Sequence, residues 1–344
     1  MPTANQTRTA PGWDRQRALD ATLVQVERRY GRGAVWRLGG QPIAPVPVIP
    51  TGSLTLDLAL GVGGLPRGRI SEVYGQEAAG KTTLALSVIA QAQQAGGTAL
   101  FIDAEHALDL AYVQAVGVDL NRLLVCQPDS GEHALAVLET LVYSGALEVA
   151  VVDSVPALVP RVELEGEVGD SYTGAYGRLM AQAMRKLAGP LAKTGTALVL
   201  VNQLRDNPGV LFGSAERVPG GRALKHHAAI RLDLRRIETI KGDDGQVIGE
   251  RIRVRVVKNK LAAPFRTVEL ALRFGQGIDR QSELLDLGLA YGAIKRTRAG
   301  YRFGSARLGA GREDARRFLS DDLELAGRLR AQLTSDLPRG GQAA

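Results

Sequence analysis

The segment of this chain best equipped for chemistry is Gly75-Gln76-Glu77-Ala78-Ala79-Gly80-Lys81-Thr82-Thr83. Two glycines followed by a lysine and a hydroxyl residue at this spacing form a loop that wraps phosphates. The glycines let backbone N–H groups turn onto phosphate oxygens. Lys81 brings a charge to the β- and γ-phosphates, and the Thr82 hydroxyl can ligate Mg²⁺. The pattern has meaning only between a strand and a helix, and here ISEVY precedes it and TTLALSVIAQA follows. The helix N-terminus adds its partial positive charge to the same place. The residues point to bound ATP and Mg²⁺.

Val149-Ala-Val-Val-Asp153-Ser154 is an apolar strand ending in a carboxylate. Alone, such an Asp more often caps a turn; beside a phosphate loop it reads as the holder of Mg²⁺ or its water. Hydrolysis also needs a group to activate water. Phe101-Ile-Asp-Ala-Glu105 ends another strand, so Glu105 is the expected base, with Asp103 as the alternative.

These groups need a sheet to carry them. From Thr51, apolar strand-like runs alternate with helical ones: Ile70–Tyr74 then 82–95, 98–102 then 108–116, 123–127 then 131–143, and 149–153, a helix over 177–193 and 196–202. Strands rich in Val, Leu and Ile joined by helices predict an α/β fold with a largely parallel sheet. From 228 to 272 the period shifts to two, which predicts antiparallel strands with the hairpin turn at Gly242–Gly245. Residues 1–50 hold a helix over 14–30 and a proline-rich linker, with Asp14 as its expected N-cap. The ATPase core spans 51–280, and 281–335 form a small, α-rich α+β unit. Residues 336–344 are expected to be a disordered tail. The helix over 14–30 either folds back on its own core or docks on a neighbouring subunit, and the residues alone favour the first.

The chain has 344 residues and a net charge of +7, a bias toward polyanionic partners. From Lys295 to Arg317, eight cations face only Glu313 and Asp314, with Tyr301 and Phe303 between them, an arrangement suited to capturing duplex DNA. A lone Cys126 fits a reducing compartment, and the cytoplasm is the expected location. No stretch has the ~20 apolar residues of a membrane span, so no membrane role is expected.

Two long glycine-rich segments, 163–177 and 204–221, interrupt this compact pattern, and loops of that length are usually functional.

The motifs GQEAAGKTT, FIDAEHALD, VVDSVPAL, VNQLR, RLDLRRI and VVKNKLAAPF stand in the order and spacing of the bacterial RecA recombinases, and the chain resembles that family from about Asp14 to about Leu333. The resemblance implies a RecA-type phosphate-loop ATPase core and an ATP-dependent recombination and DNA repair protein. Such a protein forms a homo-oligomeric helical filament on single-stranded DNA, takes up double-stranded DNA and exchanges strands. It also implies stimulation of self-cleavage by a LexA-type repressor of the SOS response, and mediator proteins as partners.

The same resemblance implies individual roles. Glu105 activates water. Asp109 and Tyr112 hold the adenine side, covered from beyond by Phe274 and Gly275. Gln203 senses the γ-phosphate, and Lys258 and Lys260 reach a neighbour's γ-phosphate. The two long segments hold single-stranded DNA, with Arg178, Arg185, Arg205 and the Gly220-Gly221 backbone on phosphates, and Val210, Leu211 and Phe212 between bases. The helix over 14–30 becomes the polymerisation arm.

The chain departs from the family at Tyr172-Thr173, where a bulky pair is usual, so Tyr172 is the wedge if the first loop has one. His226 replaces a common Phe, Ala78-Ala79 replaces Ser-Ser, and 338–344 lack the acidic tail that restrains duplex binding, which implies less dependence on Mg²⁺ for duplex uptake. The competing readings are a ring-forming helicase of the same fold and a DNA-binding scaffold with a vestigial nucleotide site.

Overall fold

The computed structural model describes residues 12–37, 45–167, 172, 174–206, 216–242 and 244–336. Two units emerge, divided at Pro45. The first contains α1 (Gly12–Tyr30), whose Leu19, Val24 and Tyr30 are exposed, with Arg37 returning to pair with Asp20 at 3.0 Å.

The second unit begins with β1 (Val48–Ile49), α2 (Leu54–Leu60) and β2 (Leu65–Pro66). It continues with β3 (Ile70–Gly75), α3 (Lys81–Gln94), β4 (Ala99–Asp103), α4 (Leu110–Ala115), β5 (Leu123–Cys126) and α5 (Gly131–Tyr143). Next come β6 (Val149–Asp153), α6 (Arg161–Leu164), α7 (Ala175–Thr194) and β7 (Ala197–Gln203). A short ribbon, β8 (Arg205–Asp206) against β9 (Glu216–Arg217), leads into α8 (Gly221–His227). The strands β10 (Ile230–Lys241), β11 (Val247–Asn259), β12 (Thr267–Arg273) and β13 (Gly277–Ile278) follow.

Nine strands form one sheet in the order β13-β12-β11-β10-β3-β7-β6-β4-β5. Neighbours from β10 to β5 are parallel and those from β10 to β13 antiparallel, as the change of period predicts. Helices cover both faces of the parallel part, which is why β4 and β6 are buried at every position and read as unbroken apolar runs. On one face Val73, Val151 and Val199 pack with Leu84, Val88 and Ile89 of α3. On the other, Leu100, Val152 and Leu200 pack with Leu138 of α5 and Met180 and Leu187 of α7. Ser130 caps α5 through the His133 N–H, and Gly174 in the left-handed region starts α7 at Ala175, two residues before the predicted start.

The C-terminal part has α9 (Arg280–Ala290), a three-stranded sheet of β14 (Ile294–Thr297), β15 (Gly300–Phe303) and β16 (Ala306–Gly309), then α10 (Arg312–Asp321) and α11 (Leu323–Asp336). The Glu283 carboxylate joins it to the core by accepting the Leu54 and Thr55 N–H groups, both at 2.9 Å, and the Ser53 hydroxyl. That carboxylate sits at the N-terminus of α2, where negative charge is favoured. Among the described residues no helix is long and apolar enough to cross a membrane.

Candidate nucleotide site and the loops beside it

The phosphate loop leaves β3 at Gly75 and enters α3 at Lys81. Gly80 takes a φ of 77°, and a Cβ there would lie 2.3 Å from Leu272 Cδ1, so only glycine fits. Ala78 sits at φ 54°, a conformation that costs a residue with a Cβ about 1 kcal/mol and here turns the chain inward. Backbone shape does this work, which accounts for alanines at 78 and 79. Lys81 Nζ donates to the Gln76 carbonyl at 2.5 Å. Burial pulls the Lys81 pKa down, opposed by Asp153, Glu105 and Glu77, so the ammonium lies in an acidic, buried recess.

Thr82 Oγ1 donates to Asp153 Oδ2 at 2.5 Å, joining the start of α3 to the end of β6. Burial raises the Asp153 pKa to about 6; Glu105 and Asp103 add to the rise, and the Thr82 hydrogen bond and Lys81 oppose it. A desolvated carboxylate beside a hydroxyl, with too little positive charge nearby, suits a divalent cation.

The two candidate bases separate cleanly. Asp103 is buried and its carboxylate accepts the Ala107 and Leu108 N–H groups and Gln127 Nε2 at 2.9 Å, a structural task. Glu105 is exposed at the crevice, where Oε1 accepts from Ser154 Oγ and from Gln203 Nε2 at 2.8 Å. Water reaches Glu105 and not Asp103.

A cavity of about 300 Å³ opens over the loop, lined by residues 78–83, Tyr112, Phe274 and Gly275. Tyr112 Oη lies 2.6 Å from Thr83 Oγ1, which fixes the ring against α3. Asp109 is the N-cap of α4, accepting the Ala111 and Tyr112 N–H groups, so it positions Tyr112 and does not line the cavity. Gln76 and Glu77 also lie outside the lining. Glu250, Leu272 and Arg273 complete the wall, none of them singled out by the sequence, because they sit on strands of alternating pattern with no motif. A larger cavity of about 920 Å³ lies elsewhere, between the β10–β11 hairpin and the C-terminal part.

Lys258 and Lys260 do not approach this site. Register places Lys258 opposite Arg231, which pairs with Glu72, three residues before Gly75 on β3. At ~3.3 Å per residue the lysines stand about 10 Å down the sheet from the phosphate loop. Both are tied to the end of α8: Lys258 Nζ donates to the Lys225 carbonyl, and Lys260 Nζ to the His226 carbonyl at 3.0 Å. His226 is exposed in the last turn of α8.

Of the candidate DNA contacts, Arg178 and Arg185 are exposed on one face of α7, and Arg205 is exposed at the foot of the ribbon. Gly220 and Gly221, at φ 95° and 70°, open α8. Val210, Leu211 and Phe212 lie outside the described residues, as do Thr173 and the tail after Asp336. The Tyr172 hydroxyl would collide with any Cβ at Gly166, so the ring lies against its own loop.

One expectation in the C-terminal part is overturned. Tyr301 and Phe303 are buried, because the alternation of β15 turns them onto Leu308 and Leu319. They are core residues and cannot stack on DNA. The cation cluster is also partly neutralised: Arg312 pairs with Asp286 and Arg316 with Glu313. Lys295 and Arg302 remain exposed around a groove between this sheet and α11.

Residues 17–279 match the family model of the RecA N-terminal domain and residues 282–337 that of the RecA C-terminal domain. The chain is 52% identical over 330 residues to protein RecA of Salinispora arenicola, covering 96% of this chain and 94% of that protein. It is 52% identical over 329 residues to protein RecA of Rubrobacter xylanophilus, covering 96% and 95%. Against protein RecA of Frankia casuarinae it is 53% identical over 326 residues, covering 95% and 94%.

Proposed function

The chain belongs to the RecA family, and from that premise we propose that it is a DNA-dependent ATPase that forms helical filaments on single-stranded DNA and drives homologous pairing and strand exchange in recombination and repair. The observation that carries this reading is the contact between Glu105 and Gln203, which joins the water-activating group to the strand that feeds the 204–221 segment. Lys81 and the loop N–H groups hold the triphosphate, and Tyr112 with Phe274 encloses the base. Thr82 and Asp153 would hold Mg²⁺, which would supply charge neutralisation for the triphosphate.

Glu105 takes a proton from attacking water. Gln203 turns from Glu105 toward the γ-phosphate and carries that change into the DNA-binding loop. Lys258 and Lys260, remote from their own phosphate loop, serve a neighbour's site. Arg178, Arg185 and Arg205 grip DNA phosphates. The exposed apolar side of α1, and Leu124 and Val125 exposed on the edge strand β5, provide surfaces for subunit contact. The exposed Lys295 and Arg302 receive duplex DNA. Stimulation of repressor self-cleavage and a cytoplasmic site of action complete the proposal.

ATP turnover measured with and without single-stranded DNA, with the same samples imaged, tests it. The expected result is Mg²⁺-dependent stimulation together with open filaments. Closed hexamers that unwind duplex would favour the ring-forming reading. Monomers with turnover indifferent to DNA would overturn both.

A further inference from the structure

A chain of buried polar contacts leaves the nucleotide site and does not stop at Gln203. Asn202, fully buried, accepts the Gln203 N–H through Oδ1 at 2.9 Å. Its Nδ2 donates to the Pro219 carbonyl at 2.9 Å, at the far end of the second loop, and to Glu72 Oε1 at 3.0 Å. Glu72 is completely buried on β3, and its other oxygen accepts from Arg231 Nε on β10. Arg231 lies over the Tyr74 ring at 4.7 Å and is the register neighbour of Lys258.

Nothing in the packing requires these groups. On the same face Ile70, Leu198 and Leu200 are apolar, and a well-packed hydrophobic set there would match or exceed a buried ion pair in stability. The pair instead ties three strands together through one carboxylate, one oxygen for β7 and one for β10. Among the described residues Arg231 Nη2 is buried without a hydrogen-bond partner, so the joint is satisfied on the Asn202 side and under-satisfied on the Arg231 side. A buried network one bond short of complete can re-pair when either end is moved.

We propose that Glu72 is a positioning residue that couples the nucleotide sensor of one subunit to the lysine pair the same subunit offers its neighbour. The inference rests on the reading of Gln203, Lys258 and Lys260 given above. A displacement of Gln203 moves Asn202, which moves Pro219 and Glu72 together. Glu72 then draws on Arg231, beside Lys258. Occupancy of one site is thereby passed to the next, and the coupling appears as cooperativity in ATP.

The test is Glu72→Gln in the full-length protein. Glutamine removes the charge and offers an N–H₂ group to one of the two donors. Affinity for a fluorescent ATP analogue should be unchanged, because no phosphate-loop group is touched. DNA-stimulated turnover should fall about tenfold and the Hill coefficient for ATP should drop to about 1. Wild-type values of both, or a loss of nucleotide affinity in step with turnover, would overturn the proposal. If Glu72→Gln does not fold, Arg231→Lys, which keeps the charge but loses the planar fork, is judged by the same two outcomes. Absence of DNA stimulation in the unsubstituted protein would sink the underlying reading first, and the role of Glu72 with it.

Discussion

Gln203 Nε2 donates to Glu105 Oε1 at 2.8 Å, joining residues 98 positions apart in sequence. The same oxygen accepts from Ser154 Oγ. Both acceptor positions of that oxygen are thereby occupied. On the reading proposed above, turning Gln203 toward a γ-phosphate frees one of these positions in the act of sensing. Gln203→Asn, one methylene shorter, should keep nucleotide affinity and lose about tenfold of the DNA-stimulated rate. Stopped-flow nucleotide binding alongside steady-state turnover checks both halves.

Glu105→Gln should bind ATP normally and hydrolyse it 10²- to 10⁴-fold more slowly, roughly the contribution of a general base. Filaments of this variant should persist longer on DNA, visible as slower dissociation in single-molecule imaging. Asp103→Asn should instead lower the melting temperature, since that carboxylate holds the 107–108 backbone.

The lysine pair allows a mixing test. Neither Glu105→Gln nor the double Lys258→Ala, Lys260→Ala protein should turn over ATP appreciably alone. Mixed on DNA, the interfaces that combine an intact Glu105 with intact lysines should regain activity, since the lysines stand about 10 Å down the sheet and two strands across from their own phosphate loop. A mixture as inactive as its components would show that the lysines act within their own subunit.

Tyr112→Phe keeps the ring and loses only the hydroxyl contact to Thr83, so nucleotide affinity should fall a fewfold. Tyr112→Ala removes the aromatic face, worth about 1–3 kcal/mol per stacked base, and should weaken binding roughly 5- to 150-fold. Isothermal titration with both variants separates the two contributions.

Asp57 governs a pH effect on stability. It is buried beside Glu283, and burial raises its pKa to about 7, against the Thr51 hydrogen bonds and Arg330 that lower it. The folded state thus holds this proton more tightly than the unfolded chain does. The stability it contributes is fully present below about pH 4 and is lost as pH rises toward about 7, by roughly 2–4 kcal/mol. Asp57→Asn keeps an oxygen for the Thr51 N–H and should be more stable than the unsubstituted protein at pH 8, with no advantage at pH 4. Calorimetric melting at the two values decides it.

What could be read in the chain was whatever chemistry had written locally. Residues 75–83 show their purpose in nine consecutive positions, and Asp153 and Glu105 announce themselves as carboxylates ending apolar strands. The parallel core was equally legible, because strands such as β4 and β6, covered on both faces, are apolar at every position but the last. Glu72, Asn202 and Arg231 were not. Each is a single polar residue in a different strand, and only the register of β7, β3 and β10 makes them one cluster. Tyr301 and Phe303 misled for the opposite reason: four-residue strands lined with arginine conceal an alternation that buries both rings. The β8–β9 ribbon, two residues on each side, carries no periodic signal at all.

The placement of Lys258 and Lys260 at the far end of the sheet from residues 75–83 has an arithmetical consequence. On the reading proposed above, a subunit gives its lysines on one side and needs another's on the opposite side, so a two-fold dimer, which buries like against like, completes no site. In an open run of n copies, n − 1 sites are whole and one at the terminus is always incomplete. Specific activity per copy should climb with the length of the DNA offered and level off only on long templates.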